Sequence, residues 1–223
     1  MEIIEVQDGE ILDIELEEHL LDKNRQLAKA NRELLDSRSV IGIDIMGSIG
    51  SGKTSLIENM TRLLKQKCKL AVIAGDLTTE IDAQRIEKEE AQVVQIHTGK
   101  ECHLDAYLVK NALDKLPLQD LDIVFIENVG NLICPAEFPL GAHKRIVVIS
   151  VTEGPYMVVK HPFIFKDAAV VVINKIDLAQ MMRVSPEKLK SDVATINKDA
   201  KVIQTNCLTG EGVDEVIRCM NFQ

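Results

Sequence analysis

The residue types most able to do chemistry begin at residues 47–54, Gly47-Ser48-Ile49-Gly50-Ser51-Gly52-Lys53-Thr54, followed by Ser55. The pattern is that of a phosphate-binding P-loop. It lies directly after an apolar run at 40–46 and before a helical stretch at 53–66, which is the context the motif requires. The glycines let the backbone wrap a phosphate, and successive N–H groups point inward at a helix N-terminus. Lys53 supplies a mobile positive charge for the β- and γ-phosphates, and the Thr54 hydroxyl is a ligand for Mg²⁺. A second group, Asn174-Lys175-Ile176-Asp177, follows another apolar run. A carboxylate at Asp177 can accept hydrogen bonds from N1–H and the 2-amino group of guanine, with Asn174 and the stem of Lys175 bracing the ring. Behind a P-loop this favours GTP over ATP. The loop 206–210 offers the amides of Cys207 and Leu208 to the guanine 6-oxo oxygen, while the Cys207 side chain itself reads as a small buried residue.

A third group is Glu127-Asn128-Val129-Gly130. A carboxylate ending a strand beside a P-loop holds the magnesium shell, and Gly130 offers an unobstructed N–H to the γ-phosphate. Asp76 stands where a nucleotide-sensing loop begins. It is the candidate for positioning the attacking water and a further magnesium ligand, so Lys53, Asp76 and Glu127 form the expected catalytic set. Each lone acid, Asp82 included, also reads as a helix cap or a solvated charge. Asn131 occupies the position just after Gly130, where a glutamine is absent. The fourth group is Cys102-His103 with Cys134-Pro135. Thiolate and imidazole suit zinc or nickel. Three ligands do not close a tetrahedral site, so water, a substrate ion or a second copy must complete it. Spacing alone leaves open that these are free cysteines and an unrelated histidine.

The elements that must carry these groups follow from the apolar pattern. Short Val/Ile-rich runs at 40–46, 70–74, 123–126, 145–151, 168–173 and 202–203 lack alternation, which predicts strands buried on both faces. Helical stretches are expected at 53–66, 79–89, 103–115, 186–197 and 212–220. The expected fold is α/β, a doubly wound, mostly parallel sheet of the P-loop NTPase kind. An amphipathic helix over 14–36 precedes it. The expected division is 1–37, an N-terminal helical extension, and 38–223, the nucleotide-binding domain. The 223 residues carry Lys+Arg 26 against Asp+Glu 35, a formal charge of −9, with no Trp and 3% aromatics. That balance argues against nucleic acid as a partner. No apolar run approaches a membrane span, and residues 1–13 lack the basic and apolar regions of a secretory signal, so a cytoplasmic location is expected. Five irregularly spaced cysteines read as thiols or metal ligands there.

Taken together, residues 47–54, 75–85, 102–106, 127–135, Thr152-Glu153-Gly154 and 174–177 resemble the hydrogenase nickel-incorporation GTPases, the HypB family, over about residues 35–220. The resemblance implies a SIMIBI-type GTPase that dimerises across its nucleotide face when GTP is bound. It implies that Cys102, His103 and Cys134 bind zinc or nickel at the dimer interface. It also implies work with other maturation proteins on [NiFe]-hydrogenase precursors, and lets Lys160 reach the partner's nucleotide. Met1–Glu10 has neither the cysteine-rich nor the histidine-rich tract of many members, so nickel storage there is not expected. Residues 138–141 and 155–157 also depart from the family's usual pattern. The sister urease accessory GTPases carry Cys-Pro-His, whereas Ala136 follows Cys134-Pro135 here. A metal-binding module with vestigial hydrolysis is opposed by Lys53, Thr54 and Glu127. A metabolite kinase is opposed by residues 174–177.

Overall fold

A computed structural model describes residues 11–76, 81–99 and 101–221, with side chains from residue 18 onward. The expectations for 1–10, for the first two residues of the predicted helix 79–89 and for Lys100 lie outside the described residues. Fifteen elements frame the site. They are α1 (Ile11–Ser37), β1 (Ile41–Gly47), α2 (Lys53–Leu64), β2 (Leu70–Asp76), α3 (Ile81–Glu87), β3 (Gln92–His97), α4 (Ala106–Leu113) and β4 (Ile123–Glu127). After these come β5 (Lys144–Ser150), α5 (Met157–Lys160), β6 (Val170–Asn174), α6 (Ala179–Met182), α7 (Pro186–Ile196), β7 (Lys201–Gln204) and α8 (Val213–Met220).

The seven strands form one sheet in the order β3-β2-β4-β1-β5-β6-β7, and every pairing is parallel. Adjacent residues of one strand feed opposite faces. Ile123 and Phe125 of β4 pack with Leu56, Ile57 and Met60 of α2 and Val216 of α8. Val124 and Ile126 pack with Leu35 of α1 and Val109 of α4, and a third cluster joins β5 and β6 to Leu189 and Val193 of α7. Helices thus cover both faces, as the uninterrupted apolar runs require. The connection from β1 runs to β2 on one side, and that from β4 returns to β5 on the other. Ligand crevices form at such a reversal, at the carboxyl ends of the strands.

Two expectations are corrected. The strand β3 was not foreseen: Gln92 and His97 are exposed and only Ile96 is buried, so this edge strand carries no continuous apolar run. The helix expected over 103–115 begins at Ala106, because the Asp105 carboxylate caps it by accepting the Leu108 N–H at 2.7 Å. That stop leaves Cys102 and His103 outside the helix. The α1 helix does more than cover the sheet. Asn24 accepts the Ala106 N–H at 2.8 Å and donates to the Pro139 carbonyl at 2.9 Å. Asn31 donates to the carbonyls of Ala106 and Leu140 at 2.8 and 3.0 Å. Both segments that carry the candidate metal ligands are therefore fastened to one helix. Among the described residues no helix is long and apolar enough to cross a membrane.

Candidate nucleotide and metal site

The cleft at the carboxyl ends of β1, β2, β4 and β6 has a volume of about 590 Å³. It brings together Ile49, Gly50, Gly52, Lys53, Thr54, Ser55, Asp76, Glu127, Gly130, Asn174, Lys175, Asp177, Cys207 and Leu208 from the expected set. Gly47, Ser48 and Ser51 of the expected set do not line it. Lys160 lies apart, beside Glu153, Gly154 and Tyr156 in a smaller depression.

Each wall has a local cause. Gly52 starts α2 at φ 104°, and a Cβ there would sit 2.1 Å from Asn174 Nδ2. Lys53 Nζ donates to the Gly47 and Ser48 carbonyls at 3.2 and 3.1 Å. Burial pushes its ammonium pKa down, while the nearby Glu127 carboxylate opposes the shift. Thr54 Oγ1 donates to Glu127 Oε1 at 2.7 Å. Burial raises the Glu127 pKa to about 7, against the pull of Lys53. Its Oε2 is buried and has no hydrogen-bond partner, so the carboxylate keeps an oxygen for a cation. Gly130 approaches the loop closely, since a Cβ there would stand 2.5 Å from Ile49 Cγ1 and 2.9 Å from Ile49 N.

In the Asn174–Asp177 segment, Asp177 is exposed on the cleft wall and Lys175 adopts φ 62°. Asn174 does different work from the ring brace expected of it. Its Nδ2 donates to the Ser51 carbonyl at 2.9 Å, and its Oδ1 accepts from Thr205 Oγ1 and the Cys207 N–H at 3.1 and 3.0 Å. It ties the phosphate loop to the loop after β7. The Cys207 amide is engaged in that tie, and the Leu208 amide donates to Asn206 Oδ1 at 3.0 Å. A guanine oxygen would share these donors. The Cys207 side chain is 4% exposed within the core, and burial pushes its thiol pKa up.

The metal-ligating types also converge. Sγ of Cys102 lies 3.1 Å from Sγ of Cys134 and 3.8 Å from His103 Nδ1, and one ligand atom from each residue falls within 4.8 Å of the others. The His103 ring stacks on Phe138 at 4.0 Å between centroids. Burial lowers the histidine pKa, favouring the neutral imidazole that ligates metal. The Cys102 contact and burial hold the Cys134 thiol above its ordinary pKa, so a metal binding there releases protons.

Two residues within the sequence motifs, Arg85 and Asn128, have roles that the sequence pattern does not assign. Arg85 forks onto Glu58 at 3.0 and 2.6 Å and donates to Ser55 Oγ at 2.9 Å, on the cleft wall. Asn128, fully buried, accepts the N–H groups of Leu104 and Val129 at 3.0 Å each. It joins the segment after His103 to the segment after Glu127. No spacing rule gives either residue this role, because the partners Leu104, Glu58 and Ser55 are remote in sequence.

Comparison with known proteins agrees with this arrangement. Residues 41–204 match the CobW/HypB/UreG nucleotide-binding domain. A probable hydrogenase maturation factor HypB of Methanocaldococcus jannaschii is 52% identical over 204 residues, 92% of each chain. The crystal structure of hydrogenase maturation factor HypB from Archaeoglobus fulgidus superposes with a TM-score of 0.84 at 43% identity, covering 89% of this chain and 97% of that one. HypB from Helicobacter pylori, solved in complex with nickel, gives 0.84 at 33% identity over 89% and 93%. With the P-loop, the Asn174–Asp177 segment and the paired cysteines in one frame, the chain belongs to the CobW/HypB/UreG family and, within it, to the HypB hydrogenase maturation factors.

Proposed function

We propose that this chain hydrolyses GTP to GDP and phosphate, and that its nucleotide state governs a Cys102–His103–Cys134 site that takes nickel as cargo, or zinc, during [NiFe]-hydrogenase maturation. Residues 38–223 act as the GTPase unit, with 1–37 as its N-terminal extension, helical over Ile11–Ser37. The observation that carries the reading is the convergence of the three ligand side chains, from segments about thirty residues apart, one of them the segment that leaves β4 after Glu127.

The chemistry starts with binding. The loop amides and Lys53 hold the phosphates, and Asp177 selects guanine. Thr54 and Glu127, with its unpartnered buried oxygen, fit a magnesium ion, and Asp76 lies on the same cleft wall. When bound, magnesium neutralises charge on the β- and γ-phosphates. Lys53 supports the charge that grows on the leaving β-phosphate oxygens, Gly130 offers its N–H to the γ-phosphate, and Asp76 positions the attacking water. The loop 128–134 leaves this centre directly for Cys134, so phosphate loss alters the placement of one metal ligand. With three protein ligands per chain, a second copy completes the site, and GTP promotes that dimer. Lys160 then reaches the partner's nucleotide. The unit works in the cytoplasm with the hydrogenase precursor and other maturation proteins.

The test is size-exclusion chromatography with GDP and with a non-hydrolysable GTP analogue, metal analysis of each peak, and a phosphate-release assay. The reading predicts phosphate release, a larger dimer fraction with the analogue, and metal in the dimer peak. No turnover, or metal and mass unaffected by nucleotide, contradicts it.

A further inference from the structure

Asn131 stands where the phosphate loop and both halves of the cysteine–histidine cluster meet. Its backbone N–H donates to the Gly47 carbonyl at 3.1 Å, and the two residues form an isolated antiparallel bridge. The same carbonyl accepts Lys53 Nζ at 3.2 Å. The side chain turns the other way. Nδ2 donates to the Cys102 carbonyl at 3.3 Å, and Oδ1 accepts the Ile133 N–H at 3.0 Å, one residue before Cys134.

Movement has little slack here. Gly130, the preceding residue, already lies so close to Ile49 that a single methyl would overlap it. A shift of the phosphate loop or of Gly130 therefore carries Asn131 with it. One amide then transmits the shift to the backbone of Cys102 and to the turn entering Cys134. In some GTPases a glutamine orients the attacking water. The Asn131 amide oxygen and one amide hydrogen are instead committed to the metal-bearing segments.

We propose that Asn131 is the positioning residue that links the phosphate loop to the Cys102–His103–Cys134 cluster and sets how far the nucleotide state changes metal affinity. This rests on the functional reading above and assigns its mechanical link to one side chain.

The experiment is a nickel titration of the full chain against a chromophoric chelator, in the GDP form and with a non-hydrolysable GTP analogue. Protein concentration is matched, so that dimerisation is not mistaken for site affinity. Wild type, Asn131→Ala and Asn131→Asp are compared. Ala removes both side-chain arms. Asp keeps an acceptor for Ile133 and loses the donor to Cys102. The ratio of the two affinities is read, so the added charge of Asp largely cancels. Wild type is expected to show a ratio of about 5-fold or more, and both variants less than about 2-fold. The thiolate-to-nickel absorption band should persist, which shows that the ligands remain. Thermal unfolding of each variant identifies any loss of fold, and either folded variant decides the matter. A coupled wild type with equally coupled variants overturns the role of Asn131 and leaves the functional reading standing. A wild-type ratio of one overturns both. A large fall in kcat with the ratio intact makes Asn131 a water-orienting residue and also overturns the proposal.

Discussion

Replacing Asn174 with alanine separates two roles that the same motif position can play. If the side chain braces the guanine ring, its loss weakens nucleotide binding and leaves the free protein nearly as stable as before. The structure assigns it three internal hydrogen bonds, to the Ser51 carbonyl, the Thr205 hydroxyl and the Cys207 N–H, at 2.9 to 3.1 Å. Asn174 is 2% exposed, and Ser51 and Thr205 are fully buried. Each buried polar group left without a partner costs about 1–3 kcal/mol. The cleft runs past Asn174 and Cys207, so water reaches part of the gap and the sum falls toward the low end, about 3–5 kcal/mol. The phosphate loop also loses its tie to the loop after β7, so GDP and inorganic pyrophosphate should both bind more weakly. The assay is urea unfolding with a check that the m-value is unchanged, together with calorimetric titration of both ligands. A stability loss below about 1 kcal/mol, with pyrophosphate binding unaltered and only GDP weakened, would refute the reasoning.

Other substitutions test neighbouring parts. Asp177→Asn should weaken GTP by roughly 10- to 150-fold, the loss of a charge-assisted pair, and admit xanthosine triphosphate; competition binding of the two nucleotides checks this, and full GTP affinity contradicts the base assignment. Cys134→Ala should leave a folded, GTP-binding chain that holds zinc or nickel weakly, as read by metal content after gel filtration, and normal stoichiometry and affinity count against the shared site. Asp44, buried beside Arg145, has its carboxyl raised to about 6 by burial. The native state therefore holds a proton that the unfolded chain has lost between about pH 3.8 and 6, and this contribution to stability disappears as pH rises through that window. Asp44→Asn lacks that slope, so between pH 4 and 7 its stability relative to wild type should rise by about 2 kcal/mol; an unchanged stability difference between variant and wild type at the two pH values would contradict it.

The parts of the fold that sequence exposes are those with a one-dimensional signature. Unbroken Val/Ile runs mark the buried strands β4 and β6, and the glycine pattern with Lys53 and Thr54 marks the loop and the start of α2. The edge strand β3 has no such run, because its faces are only partly covered. The start of α4 depends on one capping carboxylate at Asp105, which decides that Cys102 and His103 sit in a turn. The polar ties are the least visible. Asn24, Asn31, Asn128, Asn131 and Asn174 each act on backbone groups from other segments, so residue type and spacing give no hint of their partners. Spacing alone leaves open whether Cys102 and Cys134 share a site, and the fold brings their sulfurs to 3.1 Å.

The central claim is a coupling free energy between the nucleotide and metal sites, and such coupling is reciprocal. The direct measurement is the affinity of the wild-type chain for a non-hydrolysable GTP analogue and for GDP, with and without saturating nickel, at one protein concentration. The account predicts that nickel changes the analogue-to-GDP affinity ratio by about 5- to 150-fold, the same factor by which the analogue changes nickel affinity relative to GDP. An analogue-to-GDP ratio that is identical with and without nickel would contradict it and leave the cysteine–histidine cluster as a metal site indifferent to the nucleotide beside it.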